Sequence, residues 1–87
     1  MVIAEIIEAL RSGKTVIAID RQSSPKCFRT ACKSADVKNR VAIAEYVSYD
    51  NGEHWGLVSV DSIYELRLDE CAESLMRLGA YCELLIK

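Results

Sequence analysis

Eighty-seven residues, 51% hydrophobic and 28% charged, suffice for one small core and argue against disorder, so the chain reads as a single domain, 1–87. No apolar run approaches the ~18–20 residues that span a bilayer, so no membrane segment is expected. The formal net charge of −2 argues against a uniformly basic nucleic-acid binder.

The net figure conceals a sorting of charge. Residues 21–40 hold six bases (Arg21, Lys26, Arg29, Lys33, Lys38, Arg40) and one acid, Asp36, a balance of +5. Residues 41–87 hold three bases and nine acids, a balance of −6, and residues 1–20 stand at −1. Such segregation marks a partner-facing surface, because charge placement governs association more than fold.

Met1 to Glu5 has no basic n-region, and Glu5 and Glu8 interrupt any apolar h-region. No signal peptide is expected, and a cytoplasmic location is. Residues 2–12 read as a helix, with Ile3, Ile6, Ile7 and Leu10 at helical spacing. Gly13 suits the left-handed residue that ends a helix. Lys14 to Asp20 is β-branched and nearly continuously apolar, a mostly buried strand.

The basic segment reads as a helix opening at Ser24-Pro25, with Cys27, Phe28, Ala31, Cys32 and Ala35 as its apolar stripe. Lys26, Arg29 and Lys33 would then line the outer face. A strand is the rival reading, placing Phe28, Thr30 and Cys32 on one side.

Val41–Tyr49 and His54–Val60 flank Asp50-Asn51-Gly52-Glu53, a hairpin whose Asn-Gly tip tolerates positive φ at both positions. Centred there, paired positions sum to 103. One face then carries Ile43, Val47, Tyr49, His54, Val58 and Val60, with Glu45 as misfit. The other brings Tyr46 and Trp55 together as diagonal neighbours.

Beyond Val60, Asp61 could cap a helix from Ser62. The 4,3,4,3 spacing of Tyr64, Leu68, Cys71, Leu75, Leu78, Cys82 and Leu85 suits one long helix or a coiled-coil seam. Gly79 favours a split instead: a helix over 70–79 capped by Asp69, then a strand from Ala80 to Ile86. Met76-Arg77-Leu78-Gly79 before that strand echoes Leu10-Arg11-Ser12-Gly13 before the first one. The expected fold is α+β: a mainly antiparallel sheet of about four strands with two or three helices packed on one face.

Cys27, Cys32, Cys71 and Cys82 lack the close spacing of a zinc site. They read as small buried hydrophobes in the reduced state. No cofactor and no metal ligand set are expected. A zinc module through the cysteines and His54 is a lesser alternative. His54 is the single histidine, so a nucleophile–base pair has one candidate base beside a hairpin tip, and no enzyme is expected. Asp69, Glu70 and Glu73 suit a first helical turn better than acid–base work.

The candidate partner-binding residues are Arg21, Lys26, Arg29, Lys33, Lys38, Arg40, Tyr46 and Trp55. They point to a small non-enzymatic protein that occupies a protein partner. In size, acidity and want of a catalytic set, the chain is similar in type to the accessory proteins of phages and mobile elements, including inhibitors of host defence. No motif carries a family. The alternative is a nucleic-acid-binding regulator that uses 21–40 against phosphates. The heptad spacing adds a homodimer as a further expectation.

Overall fold

The computed structural model describes residues 2–36, 38–58 and 64–87. Helix α1 (Ile3–Arg11) buries Ile6, Ala9 and Leu10 along one stripe. Its end is closed by Gly13 at φ 81°. The Gly13 N–H bonds the Leu10 carbonyl at 3.1 Å and the Lys14 N–H bonds that of Ala9 at 3.0 Å, a Schellman motif. Strand β1 (Val16–Asp20) follows at once, buried from Val16 to Ile19.

Next come β2 (Cys27–Ser34), β3 (Arg40–Ser48), β4 (Gly56–Leu57) and β5 (Tyr64–Arg67), then helix α2 (Leu68–Leu78) and β6 (Glu83–Ile86). All pairings are antiparallel. The order across the sheet is β4-β3-β2-β1-β6, with β5 beside the first half of β3 and β4 beside its second half. The fold is α+β, as expected, but with six strands among the described residues and two helices.

The largest correction concerns the basic segment. Residues 27–34 form a strand and not a helix. Every residue of β2 pairs with β3, and five of them pair with β1 on the other side. Pro25 does not open a helix; it lies in the turn before β2, where the Ser24–Pro25 bond is cis. The apolar spacing of 27–35 fits both periods, and hydrogen bonds from two flanking strands decide for β.

The hairpin register is as read: Tyr46 pairs with Leu57 and Val47 with Gly56, each pair summing to 103. Asn51 and Gly52 both take positive φ, 62° and 88°. The returning strand is shorter than expected, and Val60 with the Asp61–Ser62 cap lies outside the described residues.

The C-terminal segment splits, as the Gly79 reading has it. Of the heptad-spaced run, Leu68 to Leu78 is helical, while Tyr64 belongs to β5 and Leu85 to β6. The helix starts two residues earlier than expected. Its N-cap is Arg67, without a side-chain cap bond, and Asp69 sits inside the first turn. Gly79 has ordinary right-handed geometry. It is glycine for space: a Cβ there would stand 2.8 Å from Leu84 Cδ1.

Both helices lie on one face. Ile6, Leu10, Leu68, Cys71, Ala72 and Leu75 pack on Val16, Ala18, Cys32 and Val41, with Ile43, Leu66, Leu84 and Ile86 around them. The echo between the two helix–strand units has a spatial form. Strands β1 and β6 are neighbours, and Thr15 and Lys87 exchange two backbone hydrogen bonds of 2.9 Å.

Candidate functional site

Strand alternation sends the remaining side chains to the opposite face. By register these are Ile17 and Ile19 on β1, Arg29, Ala31 and Lys33 on β2, and Ala42, Ala44 and Tyr46 on β3, flanked by Glu83 and Leu85 on β6. No helix of the described residues packs here. Ala31, Lys33, Ala42, Ala44 and Tyr46 line a shallow hollow of about 290 Å³.

One end of this face is roofed by the hairpin loop. The Ser48 hydroxyl donates to Asp50 Oδ1 at 2.7 Å and accepts the Gly52 N–H at 2.9 Å. The Asn51 N–H bonds the Pro25 carbonyl at 3.0 Å. These bonds bend the loop back over Cys27 and Ser48, both fully buried. Arg21 ties the loop down: Nη1 donates to the Asn51 carbonyl at 2.9 Å, and Nε lies 3.5 Å from Glu83 Oε2.

The folded-back loop delivers Trp55 to Arg29. The Arg29 guanidinium carbon lies 4.2 Å from the Tyr46 ring centroid and 5.0 Å from that of Trp55. Tyr46 and Trp55 thus share a cation through Arg29, a contact that the strand register makes and a helix would not. Each such contact contributes about 0.5–2 kcal/mol, depending on desolvation. Arg29 has no salt-bridge partner among the described residues, and its Nε is buried without a hydrogen-bond partner.

The other expected site residues divide. Lys33 shares the open face with Arg29. Arg40 begins β3 on that face, opposite Arg67, and Lys38 is exposed in the turn before it. Lys26 does not join them. Its Nζ lies 5.2 Å from the Phe28 ring centroid and 5.8 Å from that of Tyr49, and by register Phe28 belongs to the face opposite Arg29. The helical Lys26–Arg29–Lys33 row is therefore overturned. Phe28 is 43% exposed and not buried as the helix reading has it. The period-2 pattern of the rival strand reading was the signal that could have found this.

His54 pairs with Asp50 at the loop tip, Nδ1 to Oδ2 at 2.5 Å. The Ser48 hydroxyl, the His54 N–H and the His54 ring hold the Asp50 carboxyl well below its usual range. Asp50, Glu53 and His54 stand close enough to share a cation. Both Asp50 oxygens are already engaged within the turn, so the cluster is accounted for as loop structure. No cysteine belongs to it, and the zinc reading through His54 and the cysteines is not assembled among the described residues. The four cysteines are free thiols, three of them buried and Cys82 half-buried.

No helix of the described residues is long and apolar enough to cross a membrane. Comparison of the chain with protein-family models, with curated proteins and with solved structures finds no match.

Proposed function

We propose that this is a small, non-enzymatic cytoplasmic binding protein that occupies an acidic protein surface with the open face of its sheet. The observation that carries this reading is the Arg29 guanidinium held between Tyr46 and Trp55 without a carboxylate partner. An arginine left free on a surface loses rotamer freedom when it binds, whereas a stacked one has already given that freedom up. Buried aromatic and arginine anchors are the side chains that dominate interfaces. Lys33 and Arg40 extend the positive field beside the apolar alanines, and a carboxylate-bearing partner matches both features. The proposed role is that of an inhibitor or accessory protein of a phage or mobile element, such as a host-defence inhibitor.

Nucleic acid is the less favoured partner on two grounds. The bases of 21–40 are divided between two faces, and the two aromatic rings are occupied by Arg29 and not free to stack on nucleobases.

The test is affinity purification from host lysate with the wild type, Arg29→Glu and Lys26→Glu. A stoichiometric acidic protein should be held by the wild type and by Lys26→Glu, and lost with Arg29→Glu. Recovery of no stoichiometric protein, or equal loss with both variants, would sink the reading. A salt-dependent shift of DNA or RNA abolished by Arg29→Glu would replace it with the nucleic-acid regulator. A solution mass of twice the chain that falls to one with Arg29→Glu would make the partner a second copy.

A further inference from the structure

One edge of the sheet keeps its backbone open. Strand β6 pairs with β1 on one side, and no strand of the described residues pairs with its other side. Proline, or a charge in mid-strand, is the usual guard of such an edge. The centre of β6 is Leu84-Leu85-Ile86 and has neither. On the helix face, two hollows flank this edge. One of about 540 Å³ lies beside Leu84 and is bordered by Met76 and Ala80, both exposed. The other, of about 400 Å³, lies beside Ile86 and is bordered by Ala4 and Ala9.

The β1 pairing decides which backbone groups are free. Thr15 and Lys87 exchange both of their hydrogen bonds. Antiparallel alternation then turns the N–H and C=O of Leu85 towards Ile17, and those of Leu84 and Ile86 outward. A second β6, laid antiparallel, meets all of these groups in the register centred on Leu85. Leu84 then exchanges hydrogen bonds with Ile86 of the second copy, and Ile86 with its Leu84. The same register sets Glu83 opposite Lys87 of the second copy, twice over, on the open face. Registers centred on Leu84 or on Ile86 lose that match of charge. Among the described residues only Oε2 of Glu83 has a partner, Arg21 Nε at 3.5 Å, and Lys87 is exposed. On the helix face, the hollow beside Leu84 meets the one beside Ile86 of the second copy.

We propose that β6 is a homodimer edge, where two copies join antiparallel through Leu84 and Ile86 with Leu85 on the two-fold axis. The occupant is a second copy because the edge is complementary to itself, in hydrogen bonds and in charge. The contact is isologous and closes at two chains. Paired residues point to the same side, so the axis stands perpendicular to the sheet and the two open faces become one surface. Arg29, Tyr46 and Trp55 take no part in the contact, so it stands or falls independently of the docking proposal.

The test is sedimentation equilibrium of the full chain over a concentration series, with amide exchange followed residue by residue. Twice the chain mass is expected at high concentration and a single chain mass on dilution. The Leu84 and Ile86 amides should slow about tenfold where nine-tenths of the chain is dimeric, while the Leu85 amide is protected throughout. Lys87→Glu sets like charges opposite each other twice per dimer and should weaken association about tenfold. Adding Glu83→Lys to it should restore the dimer. A single chain mass at every concentration would overturn the proposal. So would a dimer that Lys87→Glu leaves unchanged, one that Arg29→Glu dissolves, or one whose Leu84 and Ile86 amides exchange as fast as in the single chain. The wild-type amide pattern decides the matter even where a variant folds poorly.

Discussion

The two faces of the sheet are made from the same strands and are built to opposite rules. On the helix side, Val16, Cys32 and Val41 meet Leu10 and Leu75, all at 1% exposure or less. On the open side, Ile17 and Ile19 are nearly as buried, at 8% and 7%. They are shielded by their in-plane neighbours: Ile19 lies between Arg29 and Glu83, and Ile17 between Ala31 and Leu85. One face excludes water with a second layer of structure, the other with long side chains and one folded-back loop. Stability therefore resides mainly in the first face, and recognition is proposed for the second.

Removing core volume under a helix should have the largest effect. Leu75→Ala should cost about 2–5 kcal/mol, read as a lower urea midpoint. A loss under ~1 kcal/mol would mean that the helix layer is not the main support. The loop comes next. Gly52→Ala forces a side chain into positive φ and sets its Cβ 3.0 Å from Arg21 Nη1 and 3.3 Å from Trp55 Cζ2. It should cost roughly 1–3 kcal/mol and expose Trp55, visible as a red shift in its fluorescence. Arg29→Ala should cost about 1 kcal/mol from the lost stacking while abolishing partner binding. A large unfolding effect with binding intact would reverse the roles given to the two faces.

Ala42→Ser on the open face should change stability by less than ~0.5 kcal/mol. Asp50 gives the subtlest contrast. Its carboxyl is held below the ordinary 3.8 in the folded chain. Its contribution is therefore present above that value and is lost as the pH falls from it towards the folded value. Asp50→Asn should lower the thermal midpoint at pH 5, and the gap to wild type should narrow steadily as the pH falls below 4. A gap independent of pH would remove the carboxylate from the account.

Much of the local structure was legible in the residues alone. The Ile6/Leu10 stripe with Gly13, the β-branched run from Val16 and the Asn51-Gly52 tip each have a single low-energy local reading. The sum of 103 therefore carried the hairpin register correctly. Gly79 divided the last segment correctly for an incomplete reason, since what matters is the room it leaves Leu84. Strand β5 was not anticipated, because its four residues pair with the distant start of β3.

Residues 27–35 are the place where local reading had to fail. Cys27, Phe28, Ala31, Cys32 and Ala35 satisfy a helical period, while Phe28, Thr30 and Cys32 satisfy a strand period. Nothing within the segment separates the two. The choice was made by β1 and β3, whose backbone groups flank β2 and pair with it from both sides. That choice sent Lys26 and Arg29 to opposite faces, set Arg29 between Tyr46 and Trp55, and put Cys32 in the core beneath the helices. The sequence by itself determined the helix closed by Gly13, the helix that ends before Gly79, the Asn51-Gly52 turn, the hairpin register and the sorting of charge, because those depend on neighbours a few residues apart. Which side chains meet was decided by hydrogen bonds between strands distant in sequence, and only the tertiary structure contains them.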